Sequence, residues 1–150
     1  MAYTITPWQD RFRTPDPATL RKTVDPESVE SFDRVRSFLR GLHDVVETPG
    51  WHGPTYCWSL EYRLAGREEP LAILIPSPID LQLAMPIDAE FLGQLPIRRM
   101  KRAIRDGLDL ASPPFDTTWA IWSLAPGSML EDLEDLVGRR VRFIEEAGGN

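Results

Sequence analysis

Between residues 56 and 64 every second side chain is large and apolar: Tyr56, Trp58, Leu60, Tyr62 and Leu64 alternate with Cys57, Ser59, Glu61 and Arg63. A period of two is the mark of an extended strand with one buried face, because a helix would scatter those five side chains around its axis. The polar stretch Ala65-Gly66-Arg67-Glu68-Glu69 follows, and its glycine can take the positive φ of a hairpin loop. A second run, Leu71-Ala72-Ile73-Leu74-Ile75, ends at Pro76-Ser77-Pro78. A third, Leu81-Gln82-Leu83-Ala84-Met85, is closed by Pro86, which cannot donate to a ladder in mid-sheet. Residues 53–86 therefore predict an antiparallel meander, and the rest of the chain must pack on it or extend its edge.

On the N-terminal side, residues 1–24 hold Pro7, Pro15 and Pro17 among charged groups, with Trp8 and Phe12 as the large apolar side chains. They predict an extended arm preceding a single domain over residues 25–150, docked at most through Trp8 and Phe12. Asp25-Pro26 is a helix start, since the carboxylate can accept from a free amide and the proline has none to leave unpaired. Val29, Phe32, Val35, Leu39, Leu42 and Val46 then recur at helical spacing, predicting a helix of about five turns that Thr48-Pro49-Gly50 ends.

After the meander, residues 88–95 predict a short helix and residues 96–107 a firmer one, with Ile97, Met100, Ile104 and Leu108 inward. That leaves Arg98, Arg99, Lys101, Arg102 and Arg105 as a basic outer face open to an anion or an acidic partner. Past the loop at residues 111–116, residues 117–124 predict a strand with Trp119 and Ile121 on one side and Ala120, Trp122 and Leu124 on the other; apolar groups on both sides predict a central place in the sheet. Pro126-Gly127 is a turn, and Ser128-Met129-Leu130-Glu131 is a capping box opening a final helix whose buried stripe is Leu130, Leu133, Leu136, Val137, Val141 and Ile144. The expected fold is α+β: an antiparallel sheet of about four or five strands, a meander plus a later tryptophan-rich strand, packed by long N- and C-terminal helices.

Scarce residue types narrow the chemistry. With one cysteine, Cys57, no intramolecular disulfide forms, and the two histidines, His43 and His52, belong to no zinc signature. His52 and Cys57 lie close enough in sequence to be weighed as a base and thiol, against the plainer account of a half-buried thiol beside a turn histidine. Nucleophile elbow, phosphate loop and dinucleotide fingerprint are all missing, so no cofactor is expected. The formal charge of −6 disfavours nucleic acid and anionic membrane surfaces. A reducing, cytoplasmic setting is expected from the lone cysteine and from an N-terminus without the pattern of a signal peptide. Glu131, Asp132, Glu134 and Asp135 complement the dipole of the last helix and are weighed as weak ligands for a hard cation.

The aromatic residues point further. Trp51, Tyr56, Trp58, Tyr62, Trp119 and Trp122 all fall on or beside predicted strands, and a face or cleft lined by Trp58, Tyr62 and Trp119 would bind a flat or apolar molecule or a partner.

This order of elements, with the strand Trp119-Ala120-Ile121-Trp122-Ser123-Leu124 running into a helix that carries Leu133-Glu134-Asp135-Leu136, resembles the small bacterial domains of the YdhG-like and YjbR-like group, whose architecture is related to that of frataxin. The likeness spans residues 27–146. The group's Gly-Lys pair at the hairpin is replaced by Gly66-Arg67, and its histidine- or lysine-rich approach to the tryptophan strand by Phe115-Asp116-Thr117-Thr118. The resemblance implies an α+β fold and, among roles suggested within the group, iron handling or the binding of a ligand or nucleic acid; it carries over no catalytic residue. Three readings result. The leading one is a cytoplasmic, non-catalytic ligand-binding or protein-interaction domain using the aromatic face, with homodimerisation through that face or a sheet edge. The others are a frataxin-like iron carrier using Glu131, Asp132 and Asp135, and a small enzyme with His52 or Glu61 as its acid or base.

Overall fold

Seven residue pairs, from Val45 opposite Leu64 to Trp51 opposite Trp58, join β1 (Val45–Trp51) to β2 (Trp58–Leu64). In the computed structural model, which describes residues 6–111, 118–124 and 129–148, this pair begins a five-stranded antiparallel sheet. The sheet continues in chain order through β3 (Ala72–Ile75), β4 (Gln82–Pro86) and β5 (Trp119–Ser123). The helices are α1 (Pro17–Thr23), α2 (Val29–Arg40), α3 (Gly53–Tyr56), α4 (Ala89–Gln94), α5 (Arg102–Asp109) and α6 (Leu130–Gly148), giving an α+β fold. Among the described residues no helix is long and apolar enough to cross a membrane.

The alternation along β2 sends Leu60 to one side of the sheet, and antiparallel pairing carries that side across the strands. Leu60 lies opposite Leu74, Leu74 opposite Leu83, and Leu83 opposite Trp122. These side chains form the buried core with Phe32, Val35 and Leu39 of α2 and with Leu133, Leu136 and Val137 of α6. Trp122 also reaches α5, where its indole Nε1 donates to the Ile104 carbonyl at 3.2 Å. Gly107 makes this possible, because a Cβ there would fall 2.1 Å from that nitrogen.

Polar groups at the core's edge are paired. Tyr62 is fully buried and its hydroxyl donates to Glu47 Oε2 at 2.6 Å, while Arg36 meets both oxygens of the same carboxylate at 3.0 Å. One carboxylate thus links α2, β1 and β2. Burial and this neighbouring anion push the Tyr62 phenol far above its ordinary range, so it stays a neutral donor. Arg140 of α6 is nearly enclosed, with its guanidinium 5.2 Å from the Phe91 ring and 5.7 Å from that of Phe143. It donates to Asp88 Oδ2 at 3.0 Å, which ties α6 to the cap of α4.

Several sequence expectations change. Residues 17–23 of the expected extended arm are helical: Asp16-Pro17 repeats the start signal of Asp25-Pro26, the Asp16 carboxylate accepts from Thr19 N at 2.7 Å, and Leu20 and Val24 enter the core. Trp8 docks, with its carbonyl accepting from Trp58 N, whereas Phe12 stays exposed. The first long helix stops at Arg40 instead of running through Val46, which belongs to β1. The turn between them places Asp44 at a φ of 60°. Thr48-Pro49-Gly50 lies inside β1, where the edge position lets Pro49 do without an amide to donate.

β2 begins at Trp58, two residues later than Tyr56, because Pro54 opens the single turn α3. The expected helix over residues 96–107 divides into a 3₁₀ turn, Ile97–Arg99, and α5. β5 is an edge strand, not a central one; α5 covers one of its faces, and the other borders the cleft described below. Ser128 of the capping box and most of the loop at residues 111–116 lie outside the described residues.

Replacing Tyr62 by Phe removes a buried hydrogen bond to a charged group and leaves part of the Glu47 carboxylate unpaired. Such bonds contribute about 1.5–3 kcal/mol. Tyr62→Phe should lower the unfolding free energy by that amount in urea titration with an unchanged dependence on urea concentration; a loss below about 0.5 kcal/mol would show that the clamp is not formed.

Candidate functional site

The row of side chains on the opposite side of the sheet is mixed. Glu61 of β2 lies opposite Ile73, Ile73 opposite Ala84, and Ala84 opposite Ile121. A carboxylate therefore stands at one end of an apolar row crossing four strands. Around this row a cleft of about 490 Å³ opens, with Ile73, Ile75, Ala84 and Ile121 as its floor. Its walls include Trp51 at the end of β1, Tyr56 and Pro54 from α3, and Trp119 at the start of β5. Trp51 packs edge to face on its strand partner Trp58, with the ring centres 5.7 Å apart.

The wall depends on how the chain passes from β1 into β2. The Cys57 carbonyl accepts from His52 N at 2.8 Å and the Gly53 carbonyl from Cys57 N at 2.7 Å, folding residues 52–57 into a tight unit. Cys57 takes a φ of 50° and a ψ of −138°, a conformation that a side chain disfavours. Its thiol is buried and donates to the Pro54 carbonyl at 3.5 Å. Burial pushes the thiol up, away from the lowered range in which a cysteine becomes a strong nucleophile.

Glu61 is the electrostatic centre. Its side chain is only 11% exposed, and Arg63 Nη2 donates to Oε1. His52 Nε2 stands 3.5 Å from Oε2, too far for a good hydrogen bond but close enough to act on its charge. Burial alone would raise the carboxyl; the facing His52 and the Arg63 hydrogen bond outweigh it and hold the group below the ordinary glutamate range. Gly50 gives it room, since a Cβ at that position would fall on Oε2. Arg63 is fixed in turn, its Nε donating to the Glu68 carbonyl at 2.9 Å. The site thus sets an anion held by a cation beside an apolar trough with aromatic walls.

Of the six aromatic residues named from sequence, Trp51, Tyr56 and Trp119 line the cleft, whereas Trp58, Tyr62 and Trp122 are core residues. Parity separates Trp119 from Trp122 within β5, because neighbours in a strand face opposite ways; Trp51 and Tyr56 reach the cleft from the end of β1 and from α3. The basic residues are divided between two elements. Arg98 and Arg99 lie on the 3₁₀ turn, Lys101 pairs with Asp132 at 3.1 Å, Arg102 approaches Asp106 at 3.9 Å, and Arg105 is half-buried on α5. Asp135 pairs with Arg139 at 3.0 Å and Glu131 is exposed. Among the described residues no group of three or more His, Cys, Asp or Glu side chains is placed to hold a metal ion. Arg63 and the floor residues were not singled out from sequence; the signal was present in the polar phase of β2, Ser59-Glu61-Arg63, which reads as a solvated face until its strand partners are known.

No family model matches this chain, and neither the curated proteins nor the solved structures contain a significant match.

Gly50→Ala should expel the Glu61 carboxylate from its place between His52 and Arg63 and cost about 1–3 kcal/mol of stability, as overpacking does. The pH dependence has a definite sign. Because the folded-state value of Glu61 is lowered, its contribution is complete above the unfolded value of about 4.3 and is lost as the pH falls through the folded one. Urea unfolding of wild type and Glu61→Gln across this range should show the wild-type advantage shrinking with acidification; a constant difference would show that Glu61 titrates alike in both states.

Proposed function

We propose that this domain is a non-catalytic binding protein that holds a flat, largely apolar small molecule in the cleft between Trp51, Tyr56 and Trp119. The observation that carries the reading is the continuous apolar row of Ile73, Ala84 and Ile121 ending at these aromatic walls. The volume of about 490 Å³ is in the range of small-molecule sites, and an apolar lining with few polar groups is their usual composition. Aromatic walls favour a flat partner, since stacked or edge-to-face rings gain about 0.5–1.5 kcal/mol beyond the area they bury. The state of the polar groups supports binding over catalysis: Glu61 is an ion-paired anion and Cys57 a protonated thiol, so neither is poised to exchange a proton or attack a bond.

N-phenyl-1-naphthylamine, a neutral dye that brightens in apolar surroundings, tests the site directly. It should bind saturably with one site per chain and quench part of the tryptophan emission. Trp119→Ala should weaken it about tenfold, or about 1.4 kcal/mol, while circular dichroism confirms the fold. Tyr56→Ala gives an independent check from the opposite wall. Non-saturable brightening, or equal affinity in both variants and wild type, would exclude the cleft as the binding site.

A further inference from the structure

Beside the hydroxyls of Thr55 and Tyr56, the cleft is bordered by His52, Glu61 and Arg63, whose accessibilities differ. Neither oxygen of Glu61 is open: Oε1 accepts from Arg63, and Oε2 is enclosed between Gly50 and His52. His52 Nε2 is enclosed and turned toward that carboxylate. The Arg63 side chain is the open one, 33% exposed, with its guanidinium plane pinned by bonds from Nε to the Glu68 carbonyl and from Nη2 to Glu61. Among the described residues no hydrogen bond is donated by its Nη1. Among the charged groups, the contact offered to an occupant is therefore a pre-oriented donor, which an acceptor on the occupant would match.

Charge selects which acceptor. Arg63 and Glu61 are in direct contact, so the pair is close to neutral. A carboxylate arriving at the guanidinium meets the Glu61 anion only slightly farther away; attraction and repulsion nearly cancel, and the loss of its hydration is left uncompensated. A cationic ligand is repelled by Arg63, which occupies Glu61 already. A carbonyl oxygen gains a charge-assisted hydrogen bond without an ion to desolvate. We infer that the cleft takes an uncharged aromatic molecule bearing a carbonyl group, with its ring over Ile73, Ala84 and Ile121 and its oxygen on Arg63, an inference that rests on the reading of this cleft as a ligand site.

The probes are 2-acetylnaphthalene, 2-ethylnaphthalene and 2-naphthoate, titrated by tryptophan quenching. The ketone should bind at least about tenfold tighter than either of the others. In the double variant Glu61→Gln with Arg63→Leu, which leaves no unpaired charge, the preference over ethylnaphthalene should fall to about twofold or less. Should that variant fail to fold, the infrared carbonyl band of ¹³C-labelled acetylnaphthalene on the wild-type protein decides, and must lie at lower frequency than in hexane. Equal affinity for ketone and hydrocarbon, tighter binding of the carboxylate, or an unshifted band would overturn the role of Arg63 while the cleft stands. Failure of all three naphthalenes and of the naphthylamine dye to bind would overturn the cleft reading and this one with it.

Discussion

Register between β1 and β2 is the constraint on which the other features depend. The pairing that puts Glu47 opposite Tyr62 also brings Gly50 beneath the Glu61 carboxylate on the other side of the sheet. A slip by one residue would exchange the faces, carrying Glu61 into the leucine core and Tyr62 out of it. Each face holds the register with its own chemistry. On the core side a hydroxyl and a guanidinium share one carboxylate; on the cleft side a glycine leaves space that a second carboxylate fills. The edge strand that is weakest in apolar content is thus among the most firmly specified.

Buried charge explains the form of the cleft as well as its stability. A carboxylate in an apolar trough would normally take up a proton, yet Glu61 is kept anionic by Arg63 and His52. That pairing removes net charge from the site without removing polarity, and it orients the guanidinium through two fixed bonds. Arg140 does comparable work elsewhere, joining α6 to α4 between two phenylalanine rings. Arg63 pairs with Glu61, and Arg140, itself almost fully buried, faces Asp88 and Glu69; removing the partners of such a buried cation costs far more than the pairing contributes.

Much of the fold was legible along the chain. β2 to β4 and α6 sit where their alternation or helical stripe puts them, because those patterns are strong over many residues. The misreadings occur where a local signal had two meanings. Val46 continues the helical spacing of Val29 to Leu42 yet belongs to β1, since the helix had already ended at Arg40 and pairing with β2 outweighed the remaining spacing. Thr48-Pro49-Gly50 reads as a stop, but an edge strand tolerates a proline and this one needs the glycine. Asp16-Pro17 carried a valid helix start that the surrounding prolines obscured.

The candidate site was less legible, for a reason rooted in strand geometry. Sequence alone determined that aromatic residues would concentrate on the strands, that β2 would have one apolar and one polar face, and that thiol or multi-cysteine chemistry had little material to work with. It also determined an α+β fold built on the meander. Only the tertiary structure decided that Trp51, Tyr56 and Trp119 share a cleft while Trp58, Tyr62 and Trp122 are core, and that Glu61 ends a row through Ile73, Ala84 and Ile121. Periodicity is a property of neighbouring residues and is written into each strand. Which face a helix covers, and which side chains meet across strands, depends on partners far along the chain, as far as the hundred residues between Arg34 and Glu134, and no local pattern encodes that meeting.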